Sequence, residues 1–161
     1  MKILISLFLL FFLNACSHQN AFSEFSMDEE QKRSITSLKR SKITQGKNTV
    51  GAFNALYLNN IYPKLYNGNE YFYIYMYLKK EQPLTQNNEN NNTLHITLNG
   101  NPPLELEKLN PKNRFSHLSA SKNKWNQYYL VSFDAAGETL TLNLENNQFD
   151  SASLKYQKDE Q

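Results

Sequence analysis

Residues 3–13 form an apolar stretch without a single charge. As a helix it would reach about 16 Å at 1.5 Å per residue, roughly half of a bilayer's hydrocarbon core, so it is too short to span a membrane. Residues 17–23 are polar and carry no periodicity, as expected of a tether. The pattern then predicts a helix over 27–43. Ser26-Met27-Asp28-Glu29 reads as a capping box, in which the first hydroxyl accepts from the fourth amide while the glutamate reaches back. Asp28, Glu29 and Glu30 at the start and Lys39, Arg40 and Lys42 near the end suit the helix dipole. Asp28 with Lys32 and Glu29 with Arg33 are favourable i,i+4 pairs. Met27, Ile35, Leu38 and Ile43 give this helix one narrow apolar stripe, and Gly46 ends it.

From Thr49 the period changes to two. Val50, Ala52, Leu56 and Leu58 alternate with Phe53, Ala55 and Tyr57, a strand apolar on both faces and therefore expected to be covered on both. The loop 59–68 contains Pro63 and the turn pair Asn67-Gly68. A second strand follows over 71–78, with Phe72, Ile74, Met76 and Leu78 on one face and Tyr71, Tyr73, Tyr75 and Tyr77 on the other. Residues 79–92 are an asparagine-rich loop. The segments 94–98 and 103–107 alternate around Asn99-Gly100 and are expected to pair as a hairpin with one wet face. Residues 110–123 are irregular. Strands over 128–133, 139–144 and 151–156 are expected to form a closing meander, turned at Ala136-Gly137 and Asn146-Asn147. The expected fold is mainly β, an antiparallel Ig-like sandwich of about seven strands preceded by one N-terminal helix. Neither a disulfide nor a core tryptophan supports it, because Trp125 is the sole tryptophan and sits at a strand entrance.

Composition adds an address. The chain of 161 residues has one cysteine, Cys16, directly behind the apolar run. Leu13-Asn14-Ala15-Cys16 resembles the lipobox of bacterial lipoproteins, with Lys2 as the positive n-region and Ala15 as the small residue before cleavage. The resemblance implies a signal peptide over 1–15, a lipidated Cys16, a tether over 16–25 and a domain over 26–161. Three acyl chains anchor durably where one would be marginal. By the usual sorting rule, Ser17 after the acylated cysteine implies the periplasmic face of the outer membrane. Over 34–77 the chain is similar to small lipoproteins of epsilon-group proteobacteria, in Leu38-Lys39-Arg40-Ser41-Lys42-Ile43, in Ala55-Leu56-Tyr57-Leu58-Asn59 and in the aromatic strand from Tyr71 to Tyr77. That group has no established activity, so the resemblance implies location and fold and transfers no catalytic residue. The formal charge of +2 is spread among both signs, so no basic face argues for nucleic acid.

Chemistry-bearing residues are sparse. His18, His95 and His117 fall in the tether, on a polar strand face and in a serine-rich loop, and no two have metal-ligand spacing. His117 with Ser116, Ser119 or Ser121 lacks the elbow that activates a serine. Glu105 and Glu107 share a strand face about 7 Å apart, a glycosidase-like spacing that more often serves solubility. No glycine-rich phosphate loop is present, and no cofactor is expected. Glu89-Asn90-Asn91-Asn92-Thr93 matches the extended bacterial glycosylation sequon with Asn91 as acceptor. The tyrosine stripe has two readings. Either the helix lies across it with Ile35, Leu38 and Ile43, or Tyr71, Tyr73, Tyr75 and Tyr77 form an aromatic platform for a glycan or protein partner. The expected function is a lipid-anchored envelope protein that binds or scaffolds through an envelope protein or glycan. Alternatives are a periplasmic hydrolytic or carbohydrate-processing accessory enzyme and a lipoprotein subunit of an envelope secretion assembly.

Overall fold

The computed structural model describes residues 28–86, 93–119, 123–150 and 152–158. Cys16, Asn91, the signal and tether segments, and the residues Ser26, His18 and Ser121 lie outside them. Helix α1 (Glu29–Ser37) starts at Asp28, whose carboxylate accepts from the Gln31 amide at 2.7 Å. The helix is half the expected length. Where it was expected to continue, the chain turns to extended geometry and forms strand β1 (Leu38–Gln45), paired antiparallel with β2 (Asn48–Tyr57) from Leu38↔Leu56 to Gln45↔Asn48. Gly46 therefore turns a hairpin, at φ +59°, instead of stopping a helix. The reason is tertiary. The apolar residues of 38–43 are too few to hold a helix in place, whereas β2 offers a full ladder of hydrogen bonds. Lys39, Arg40 and Lys42 are exposed on this edge strand, where charge discourages pairing with another chain.

After β2 come a helical turn α2 (Leu58–Ile61), β3 (Glu70–Leu78), a two-residue strand β4 (Leu84–Thr85), β5 (Leu94–Leu98), β6 (Glu105–Leu109), β7 (Gln127–Phe133), β8 (Thr139–Glu145) and β9 (Ala152–Gln157). Two sheets result, in the orders β1-β2-β3-β7-β6 and β4-β5-β8-β9, so the fold is a mainly β sandwich. Its pairings are antiparallel apart from β4 with β5. Two expected pairings are not made. Segments 94–98 and 103–107 do not form a hairpin: Asn99 and Gly100 make the tight reversal at φ +50° and +85°, but pairing stops at Leu98↔Asn101. Pro102 and Pro103 cannot donate to a ladder, and the chain crosses to the other sheet, where β6 pairs with β7. The closing meander is also split, because β7 and β8 lie in facing sheets and only β8 and β9 pair. Alternation fixes which residues point inward; strands facing across a core and strands side by side satisfy it equally.

Between the sheets lie Phe53, Ala55, Tyr57, Phe72, Ile74, Met76, Tyr129, Val131 and Phe133 from one side and Leu94, Ile96, Leu98, Leu140, Leu142, Leu144, Leu154 and Tyr156 from the other. A second cluster covers the outer face of the larger sheet: Leu56, Tyr73, Tyr75 and Tyr128 beneath Leu58, Ile61, Phe115 and Leu118. The expectation that β2 is covered on both faces is met. At one end of the sandwich the buried Glu70 carboxylate accepts from Tyr57 Oη at 2.5 Å, the Ala136 amide at 3.0 Å and Lys158 Nζ at 2.5 Å. This cluster ties the start of β3 to the end of β9 across the sheets.

Candidate functional site

The tyrosine stripe does not form a platform. Tyr73 is 0% exposed and Tyr75 4%, Tyr71 is half-buried, and only Tyr77 of the four is open, at 40%. The cover is not the one expected from the helix. Ile35 points to solvent, Ile43 belongs to the inter-sheet core, and only Leu38 of that trio packs on the tyrosine side. The segment 110–119 supplies the lid instead, with the Phe115 ring 5.1 Å from that of Tyr73. Burial raises the phenol pKa of both Tyr73 and Tyr75.

At the Tyr77 end the cover stops, and a second aromatic appears there. Pairing of β3 with β7 runs through Tyr75↔Tyr128 and ends at Met76↔Gln127, and the turn carrying Trp125 lies just before β7. Trp125 is 66% exposed. It stands on a turn that its neighbours hold firmly: the Asn123 side-chain carbonyl accepts from the Trp125 amide at 3.0 Å, and the Asn123 backbone carbonyl accepts from the Asn126 amide at 3.1 Å. The buried Tyr128 phenol donates to Asn123 O at 2.8 Å and accepts from Asn123 N at 3.1 Å, pinning the turn to the sheet. Gln127, which follows the turn and also lines the cleft, is held as well. Gln127 donates to Gln82 O at 3.0 Å and accepts from Tyr129 Oη at 2.7 Å, and Tyr129 in turn accepts from the Leu84 amide.

Here lies a cleft of ≈ 310 Å³ lined by Tyr77, Lys79, Glu81, Lys124, Trp125 and Gln127, among others. The Lys124 ammonium lies 5.0 Å from the Trp125 ring centroid, a cation–π arrangement. Lys79 and Glu81 make no ion pair among the described residues. Two ammonium groups and one carboxylate therefore surround two open aromatic rings. Sequence reasoning placed Tyr77 in a candidate surface and passed over Trp125. Its signal was present: a sole tryptophan in a polar Asn-Lys-Trp-Asn loop has no alternating strand neighbours to bury it.

The other candidates are engaged elsewhere. His117 Nε2 is 2.8 Å from Tyr62 Oη and 3.7 Å from the Glu30 carboxylate, fastening α1 to the 110–119 segment. Burial and then the Glu30 hydrogen bond raise the Tyr62 phenol far above its ordinary value. Ser116 Oγ accepts from the Asn113 amide and donates to Pro111 O, so it is not paired with His117. Glu107 is bridged to Arg114 at 3.1 Å, and the hollow beside Glu105 and Glu107 measures ≈ 20 Å³, too small for a sugar ring. His95 Nε2 meets Glu145 at 3.2 Å, with Nδ1 buried and unpaired. Among the described residues no group of three or more His, Cys, Asp or Glu could hold a metal, and no helix is long and apolar enough to cross a membrane.

Fold and cleft define a β-sandwich protein with a cleft at the end of its larger sheet that two exposed aromatic rings line. Compared with models of protein families, with curated proteins and with solved structures, the chain matches none.

Proposed function

We propose that this is a lipid-anchored protein of the bacterial envelope, held by Cys16 at the periplasmic face of the outer membrane, that acts as a binding module through the Tyr77–Trp125 cleft. The observation that carries the binding reading is the exposure of Trp125, 66%, on a turn held by Asn123 and Tyr128. An indole 66% exposed gains little from burial, while aromatic anchors dominate binding energy at interfaces. The anchor rests on Leu13-Asn14-Ala15-Cys16 and the short apolar run before it. Among the described residues, the candidates His117, Ser116 and Glu107 are all engaged in local structure.

The test has two arms. Cys16→Ser is expected to leave the detergent-extracted membrane fraction, because the thiol is the acylation point; a variant that stays membrane-bound at the wild-type mass refutes the anchor. Trp125→Ala and Tyr77→Ala, expressed at wild-type level, are expected to lose material that co-purifies with the wild-type protein from membranes. Co-purification unchanged in both variants refutes the cleft.

A further inference from the structure

We propose that the occupant of the Tyr77–Trp125 cleft is an acidic glycan, with a sugar ring stacked on Trp125 and its carboxylate held by Lys79 or Lys124. This rests on the binding reading above and names its ligand class. Three observations favour a glycan over a protein surface. The first is size: at ≈ 310 Å³ the cleft matches the lower end of small-ligand sites, roughly 300–1,000 Å³, and accommodates one or two sugar rings. The second is the shortage of apolar surface. Of the large exposed hydrophobics, Ile35, Leu65, Tyr77, Leu104 and Trp125, only Tyr77 and Trp125 line this cleft, far short of a protein interface with an apolar centre. The third is the polar rim. A sugar presents C–H groups on its faces and hydroxyls around its edge, so it requires an aromatic face surrounded by donors and acceptors, and Lys79, Glu81 and Lys124 provide them.

Charge selects among glycans. Two ammonium groups against one carboxylate leave one net positive charge at the rim, and neither Lys79 nor Lys124 is neutralised by an ion pair among the described residues. A carboxylate on the ligand completes that balance. Glu81 remains to accept from the sugar's hydroxyl or amide N–H groups.

The protein carries its own reporter, because Trp125 is its sole tryptophan. The full chain in detergent micelles is titrated with two probes: the neutral N-acetylglucosamine trimer, and muropeptides, N-acetylated disaccharides whose attached peptide carries free carboxylates. Muropeptides are expected to shift and saturate the indole emission, with affinity about tenfold above the neutral trimer, the ratio for one added charge-assisted contact. Calorimetry on Tyr77→Ala is expected to show affinity lower by about 30-fold, the loss of one aromatic anchor. Lys79→Gln with Lys124→Gln is expected to abolish the preference for muropeptide while keeping trimer binding. Equal affinity for the two probes overturns the acidic part of the proposal. No response to either probe, with co-purification still lost in Trp125→Ala, overturns the glycan and leaves a protein-binding cleft. No response together with unchanged co-purification overturns the binding reading as well.

Discussion

Lys158→Met tests whether the two sheets are latched by the Glu70 cluster. Glu70 is 2% exposed and accepts from three donors, of which only Lys158 carries charge. Lys158 also donates to Ala136 O at 2.6 Å, so its ammonium bridges the β3 carboxylate and the loop before β8. Methionine keeps most of the stem and removes the charge, leaving a buried carboxylate with two neutral donors. Removing one partner of a buried pair costs about 3–5 kcal/mol. The Lys158 side chain is 32% exposed, so water partly replaces it, and about 2–3 kcal/mol is the expected loss. For a domain of this size that lowers the melting temperature by about 10 °C. Glu70→Gln in the same background is expected to restore more than half of the loss, because the neutral amide oxygen still accepts from Ala136 N without a charge to compensate. The double-mutant cycle is read by circular dichroism during thermal and urea unfolding. A Lys158→Met melt within 0.5 kcal/mol of wild type, or strictly additive single and double variants, refutes the latch.

Other outcomes follow from burial. Tyr73→Ala is expected to cost about 3–5 kcal/mol, whereas Trp125→Ala stays within about 0.5 kcal/mol by circular dichroism, and a large loss for Trp125→Ala would assign the indole to packing. Gly51→Ala is expected to destabilise by about 1–3 kcal/mol, since a Cβ there runs into the Tyr77 carbonyl and meets Leu78 Cδ2 at 2.9 Å; an unchanged urea midpoint contradicts that crowding. Burial is the leading cause of raised phenol pKa values at Tyr62, Tyr73, Tyr75, Tyr129 and Tyr156. Unfolded tyrosines lose their protons near about pH 10, so above that pH the native state binds more protons and stability falls as pH rises. Phenolate absorbance is expected to appear together with loss of the circular dichroism signal; five tyrosines titrating near pH 10 in a native spectrum would refute it.

Strand positions were legible because alternation reports burial directly. Phe72, Ile74, Met76 and Leu78 face the inter-sheet core as the pattern predicts, and so do Leu140, Leu142 and Leu144. What was illegible is what lies opposite. The 38–43 stretch carries helix-compatible charges and two apolar residues, a pattern that only the neighbouring β2 ladder decides. Asn99-Gly100 turns the chain as its sequence predicts, but the expected hairpin stops at Leu98↔Asn101, where Pro102-Pro103 breaks it. The lid over the tyrosines had the weakest signal: Phe115 and Leu118 are isolated apolar residues in a segment without period, and only long-range packing gives them a target.

The same logic isolates the cleft. Packing draws every aromatic it can reach out of water, and among the described residues it leaves only Tyr77 and Trp125 exposed. They come from distant parts of the chain, the end of β3 and the turn before β7, and both line the cleft beyond the last β3–β7 pair, Met76↔Gln127. If exposure were merely the failure of a small domain to bury its last rings, neither ring would need a fixed backbone. Trp125 has one, through the Asn123 turn and the Tyr128 phenol, and the neighbouring Gln127 is held by Gln82 and Tyr129. Fixing the geometry around an open aromatic adds nothing to core burial, but it reduces the entropy lost when a ligand settles there. The hydrogen bonds beneath Trp125 are therefore the observation on which the binding proposal rests.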